Sequence, residues 1–168
     1  MREITPITAK GVISILHPIT KGRLMKLCEK GTIKPWQDST GQGTTRLFDF
    51  KNLVEIAVCE QLHHFHVHSL VYDFAMRALN DLEFFDPNKR YLVLTASAGR
   101  ALGQNEKMFL RVATWDDGER DAYFRGYHVN GLIQGRATNL MIIDLDDIRR
   151  NLESFFDAAG NLHHGIEE

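Results

Sequence analysis

Thr20-Lys21-Gly22-Arg23-Leu24-Met25-Lys26-Leu27-Cys28-Glu29-Lys30-Gly31-Thr32-Ile33-Lys34-Pro35 is the stretch on which the fold turns. Thr20 suits an N-cap, because its hydroxyl can accept a hydrogen bond from a backbone N–H that the first helical turn leaves unpaired. Leu24, Leu27 and Cys28 recur at helical spacing as one apolar stripe, and Gly31 can take the left-handed conformation that ends a helix. Lys21, Arg23 and Lys26 fall outside the stripe, so the helix exposes a basic face near its start.

Upstream, Val12, Ile15 and Leu16 give Thr8 to Leu16 a helical spacing. His17-Pro18 ends it, since the residue before a proline is pushed out of the helical region. The pattern is helix, tight turn, basic helix. Downstream, Lys34 to Phe48 carries a polar, Gly-containing tip between two short stretches, which reads as a hairpin. Asp49 can cap a third helix from Phe50 to about His63, with Leu53, Ile56, Ala57, Glu60 and Gln61 at helical spacing and Val54, Val58 and Leu62 widening its apolar side. A fourth helix follows Ser69, with Leu70, Val71, Phe74, Ala78, Leu82 and Phe85 expected on its buried face.

Asp86-Pro87-Asn88 marks the expected domain boundary. Beyond it, strands are expected at Tyr91–Leu94, Met108–Val112, Tyr123–Val129 and Leu140–Ile143, with turns at Asp116-Asp117-Gly118 and Asn130-Gly131. A last helix, Asp146 to about Ala158, is expected to present Ile148, Leu152, Phe155 and Phe156 to these strands. The fold class that follows is α+β: an all-helical winged head over residues 1–87 and a small α+β domain over 88–168.

At 168 residues and 43% apolar, the chain can bury one good core or two small ones. Cys28 and Cys59 lie far apart on expected helices, which suits a reducing cytosol rather than a disulfide framework or a zinc site. No apolar run approaches the roughly 18 residues that span a bilayer, and no leader pattern opens the chain, so a cytoplasmic protein without a membrane partner is expected. Charge is unevenly spread. From Met1 to Phe50, eight Lys/Arg stand against four acids, so the head is net positive although the whole chain is -2. Local positive charge is what phosphate attraction needs, although a merely solvated lysine-rich face has the same composition.

The order helix, turn, basic helix, Gly-Thr-Ile-Lys-Pro, hairpin, Thr-Arg-Leu-Phe, capped helix resembles the DNA-binding domain of the MerR family of transcription regulators. In that family the second helix ends in a Gly-Leu-hydrophobic-x-Pro turn, the wing ends in Gly-Tyr-Arg-x-Tyr, and an acidic or Ser cap opens the third helix. Gly31, Ile33 and Pro35 match the turn, Arg46 the wing arginine and Asp49 the cap, with Phe48 replacing the second tyrosine. Arg23-Leu24-Met25-Lys26-Leu27 stands where the family carries Thr-Leu-Arg-Tyr-Tyr, Thr44 and Thr45 stand where the wing has Gly-Tyr, and no long heptad helix follows Phe85. The resemblance implies a homodimer on a two-fold operator that alters promoter geometry for RNA polymerase. It leaves the second domain for dimerisation, for sensing a small-molecule effector, or for both.

Duplex DNA suggests the roles. Lys21, Arg23 and Lys26 are placed to enter the major groove, where arginine can bond guanine in bidentate fashion. Thr20, Lys34, Thr44, Thr45 and Arg46 suit phosphates or the minor groove. Each has a plainer alternative: Thr20 only caps, Arg46 only pairs with Asp49, and the lysines only solubilise. Two rival functions remain, a DNA-binding architectural or phage-type factor without sensing, and a small enzyme with a helical assembly domain. The enzyme ranks last, because no nucleophile, base and orienting acid meet at readable spacing, and no cofactor is expected.

His63, His64, His66 and His68 have no Cys, Asp or Glu beside them to complete a ligand set, so they read as surface or turn histidines and no metal is assigned. Asp144, Asp146 and Asp147 sit where a strand hands over to a helix and read as N-terminal capping acids. Ala96–Gly103 lacks the Lys-Ser/Thr of a phosphate loop and reads as an ordinary loop. Trp115, Phe109, Tyr123, Phe124 and Tyr127 read as core or dimer interface, with a ligand pocket as the alternative. His163 and His164 lie in a tail that looks too polar to pack.

Overall fold

Thr8, Thr20 and Asp49 each accept a hydrogen bond from a backbone N–H in the turn that follows, and these three caps start the first three helices. The computed structural model describes residues 3–39, 41, 45–81, 90–99, 107–121 and 139–163. It divides the chain into two compact units, one of Met1–Met76 with Asp146–Glu168 and one of Arg77–Leu145. Helix and strand are mixed, as the α+β expectation required.

In the first unit, β1 (Ile7–Thr8) leads into α1 (Ala9–Ile15), and α2 (Lys21–Glu29) follows a tight turn. Gly31, at φ 71°, ends α2, and the Thr32 and Ile33 amides both donate to the Leu27 carbonyl. β2 (Leu47–Phe48) pairs antiparallel with β1, Ile7 opposite Phe48 and Thr8 opposite Leu47. Leu47 also exchanges both backbone hydrogen bonds with Gln37, at 3.2 and 2.9 Å. The strand at Ile7–Thr8, outside the expected hairpin, was not anticipated, because two residues are too short to print an alternating pattern on the sequence.

The core of this unit forms around α3 (Phe50–His64), where Leu53, Val54, Ile56, Val58, Cys59 and Leu62 are all buried. α4 (Leu70–Asp81) occurs where expected but turns a different face inward. Tyr72, Ala75, Met76 and Leu79 are buried while Phe74 is exposed. The helix carries apolar residues on two stripes, and periodicity identifies a helix without choosing between them. Leu82 and Phe85 lie outside the described residues.

The second unit holds an antiparallel sheet of β3 (Tyr91–Gly99), β4 (Lys107–Trp115) and β5 (Asn139–Asp144), in the order β4-β3-β5. A helical turn, α5 (117–121), follows β4. Ala96 to Gly99, expected in a loop, extend β3, while the expected strand Tyr123–Val129 lies outside the described residues. Arg90 donates to Asp144 Oδ2 through Nη2 at 3.0 Å and through Nε at 3.2 Å, so Asp144, just before the helix that follows, is held in an ion pair. The Arg90 and Arg120 guanidinium groups both lie over the Tyr91 ring, 5.2 and 4.8 Å from its centroid, and the Tyr91 hydroxyl donates to Asp117 at 2.8 Å.

α6 (Leu145–Glu153) carries Asp146 and Asp147 in its first turn, as the capping reading required. From Asp146 onward the chain belongs to the first unit. Within that unit, Ile148, Leu152 and Phe155 line a groove of about 230 Å³ together with Ile15, Leu16 and Ala57. The tail also packs, contrary to its polar look: the His163 amide donates to the Phe155 carbonyl at 3.0 Å, and the Thr5 amide to the Gly160 carbonyl at 2.9 Å. His164 lies outside the described residues.

Gly160 holds this closure. Its φ is +82°, and a Cβ built there would fall 2.4 Å from the Glu3 carbonyl oxygen. Gly160→Ala is therefore expected to destabilise the protein by about 2 kcal/mol or more, read as a lower midpoint in urea unfolding. An unchanged midpoint would refute the tight closure.

Candidate nucleic-acid interface

The candidate site starts from the outer side of α2. Leu24 and Leu27 are buried, Lys21, Gly22, Lys26, Glu29 and Lys30 are exposed, and Arg23, Met25 and Cys28 lie between. Thr20 caps the helix through Oγ1, which accepts from the Arg23 amide at 3.3 Å, and stays exposed. Lys21, Lys26, Lys30 and Lys34 make no ion pair among the described residues, so their charge is available to an outside partner.

Ile33 is fully buried and anchors the chain as it leaves α2. Asn52, itself 3% exposed, then fixes the next residues. Its Nδ2 donates to the Lys34 carbonyl at 2.9 Å and to Glu55 Oε2 at 3.1 Å, and its Oδ1 accepts from the Trp36 amide at 2.8 Å. The same residue closes the capping box of α3 with Asp49. Lys34 and the exposed Trp36 ring are thus carried on a backbone clamped from inside the core.

Arg46 sits on the returning side of the hairpin. Its Nε–H donates to Asp38 Oδ1 at 2.6 Å, and its Nη1 lies 3.1 Å from Met25 Sδ on α2. The partner is Asp38, not the Asp49 that sequence spacing offered. The hydrogen bond from Arg46, with a second from the Ser39 amide, holds the Asp38 carboxyl below its ordinary value. Thr45 is exposed beside Arg46, and Thr44 lies outside the described residues.

Arg23 departs most from expectation. Instead of standing in solvent it leans on α3, with Nε 3.0 Å from Glu60 Oε1 and Nη2 donating to the Cys59 carbonyl at 3.4 Å. Grooves flank it on either side. One, of about 690 Å³, runs along Pro18, Thr20, Glu60, His63 and Phe65; the other, of about 460 Å³, runs along Lys26, Lys30, Thr32 and Tyr72. Desolvation, with Arg23 nearby, pushes His63 below its ordinary value. α3 ends at His64, so His64 and His68 do not share a helical face.

Glu60, Asn52, Met25 and Asp38 were not among the residues sequence reasoning selected. Only Glu60 left a usable sign: an acid at helical spacing with Leu53 and Ile56 requires a cation near it. A scan against family models and a search of curated proteins returned no match.

Asn52→Ala would strand the Trp36 amide and the Lys34 carbonyl and would take one hydrogen bond from Glu55 Oε2. A loss of about 3 kcal/mol is expected in denaturant unfolding, at the upper end for a single buried hydrogen-bonding group because both backbone partners are orphaned together.

Proposed function

We propose that the first unit is a winged helix-turn-helix that binds duplex DNA, and that the protein is a transcription regulator of MerR-like type. The observation that carries this is the 3.1 Å approach of Arg46 to Met25. It supports a hairpin base and a basic helix that present themselves together, as a reader of duplex DNA requires. The unpaired lysines, and Lys34 on its clamped backbone, supply charge for phosphate.

In this reading Lys21 and Lys26 meet the major groove, while Thr20, Lys34, Thr44, Thr45 and Arg46 hold the backbone. The second unit is the proposed dimerisation or effector-sensing module, and RNA polymerase the proposed downstream partner. Light scattering tests the dimer, with a strict monomer counting against a two-fold operator.

The decisive experiment is binding to random duplex DNA at several salt concentrations. Affinity should fall steeply with salt, and Lys34→Ala should flatten the slope by about 0.9, the share of one phosphate contact. Arg46→Ala should weaken binding to all sequences alike. Weak binding indifferent to salt would end the DNA-binding interpretation.

A further inference from the structure

We propose that Glu60 is a specificity-determining residue acting through Arg23: their ion pair is a latch that duplex DNA must open to recruit the arginine. This deepens the duplex-binding reading and rests on it.

The latch is closed but poorly made. Arg23 Nε stands 3.0 Å from Glu60 Oε1, yet no N–H is directed at that oxygen, which is buried without a hydrogen bond. The directed bond of the guanidinium runs to the Cys59 carbonyl at 3.4 Å, at the long end of the range. A phosphate or a guanine edge offers what this arrangement lacks, two parallel, charge-assisted bonds that match the guanidinium fork. Both grooves border Arg23, so its head has open space on two sides in which to rotate. Arg23 also lies in the first turn of α2, between exposed Lys21 and exposed Lys26.

Opening has a cost. The Glu60 side chain is 15% exposed, and without Arg23 it becomes a largely buried carboxylate with no cation against it. Lysines can therefore hold any duplex with the latch closed, whereas Arg23 leaves only where its new contact outweighs that penalty. Glu60 thus sets the threshold at which the arginine takes part. Burial raises the Glu60 carboxyl above its ordinary value in spite of Arg23, so a neutral side chain at this position should be well tolerated.

The test is a double-mutant cycle on random-sequence duplex DNA using Glu60→Gln, Arg23→Ala and the double variant of the full chain, with affinity and salt slope as readouts. Glu60→Gln is expected to bind about tenfold more tightly and with a slope steeper by about 0.9, as Arg23 becomes free to neutralise a phosphate. In the Arg23→Ala background the same change should do almost nothing. An equal gain with and without Arg23 would mean that net charge alone is at work, and no gain would mean that no latch exists; either overturns the proposal. Glu60→Met, uncharged and of similar length, repeats the test should the Gln variant melt early. If neither wild type nor any variant binds with salt dependence, the duplex-binding reading falls along with the latch. If wild type binds with a steep slope and the cycle shows no coupling, the latch alone falls.

Discussion

Asn52 must have every polar atom of its side chain satisfied, because it is buried among the apolar residues of α3. The partners it takes are the backbone of Lys34 and Trp36, the carboxylate of Glu55 and the backbone at the cap of its own helix. One side chain thereby couples the exit from α2, the start of the hairpin and the first turn of α3. Other contacts of the candidate surface are arranged around that tie. Ile33 is drawn inward just before it, and Arg46 reaches Met25 from the residue before β2.

The basic surface is built on two kinds of cation. Lys21, Lys26 and Lys34 stand in solvent, where each charge is hydrated and inexpensive to hold. Arg23 and Arg46 are each engaged with an acid, Glu60 and Asp38, and with a neighbouring helix. The Arg46–Asp38 pair, whose acid is exposed, contributes little stability and chiefly sets where its guanidinium points, whereas the Arg23–Glu60 pair covers a largely buried carboxylate.

Much of the head was legible because local chemistry settles it. Thr20, Asp49 and Gly31 each act within one helical turn of themselves, and their roles follow from short-range hydrogen bonding that the sequence shows. What escaped was decided at long range. The inward face of α4 depends on which of two apolar stripes finds a partner, and the place of residues 146–163 depends on contacts with Thr5 and Ile15 far away in sequence. The same holds for Arg23, whose partner Glu60 lies a whole helix later. The hairpin was legible in its polar tip, but a two-residue strand leaves no periodic trace, so the pairing of Ile7–Thr8 with Leu47–Phe48 was hidden.

The amide of Thr5 reaches the carbonyl of Gly160, so the first unit is assembled from two pieces of chain with the whole of Arg77–Leu145 threaded between them. A ribosome that has released only the head has therefore not yet delivered all of the material that the head needs. The helices can form early, but the groove that Ile15 and Ala57 line gains its other wall only when Ile148 and Leu152 emerge. The intervening sheet, whose own strands begin at Tyr91 and end at Asp144, becomes the loop whose closure returns the chain to its beginning, and its folding shortens the span that must be closed.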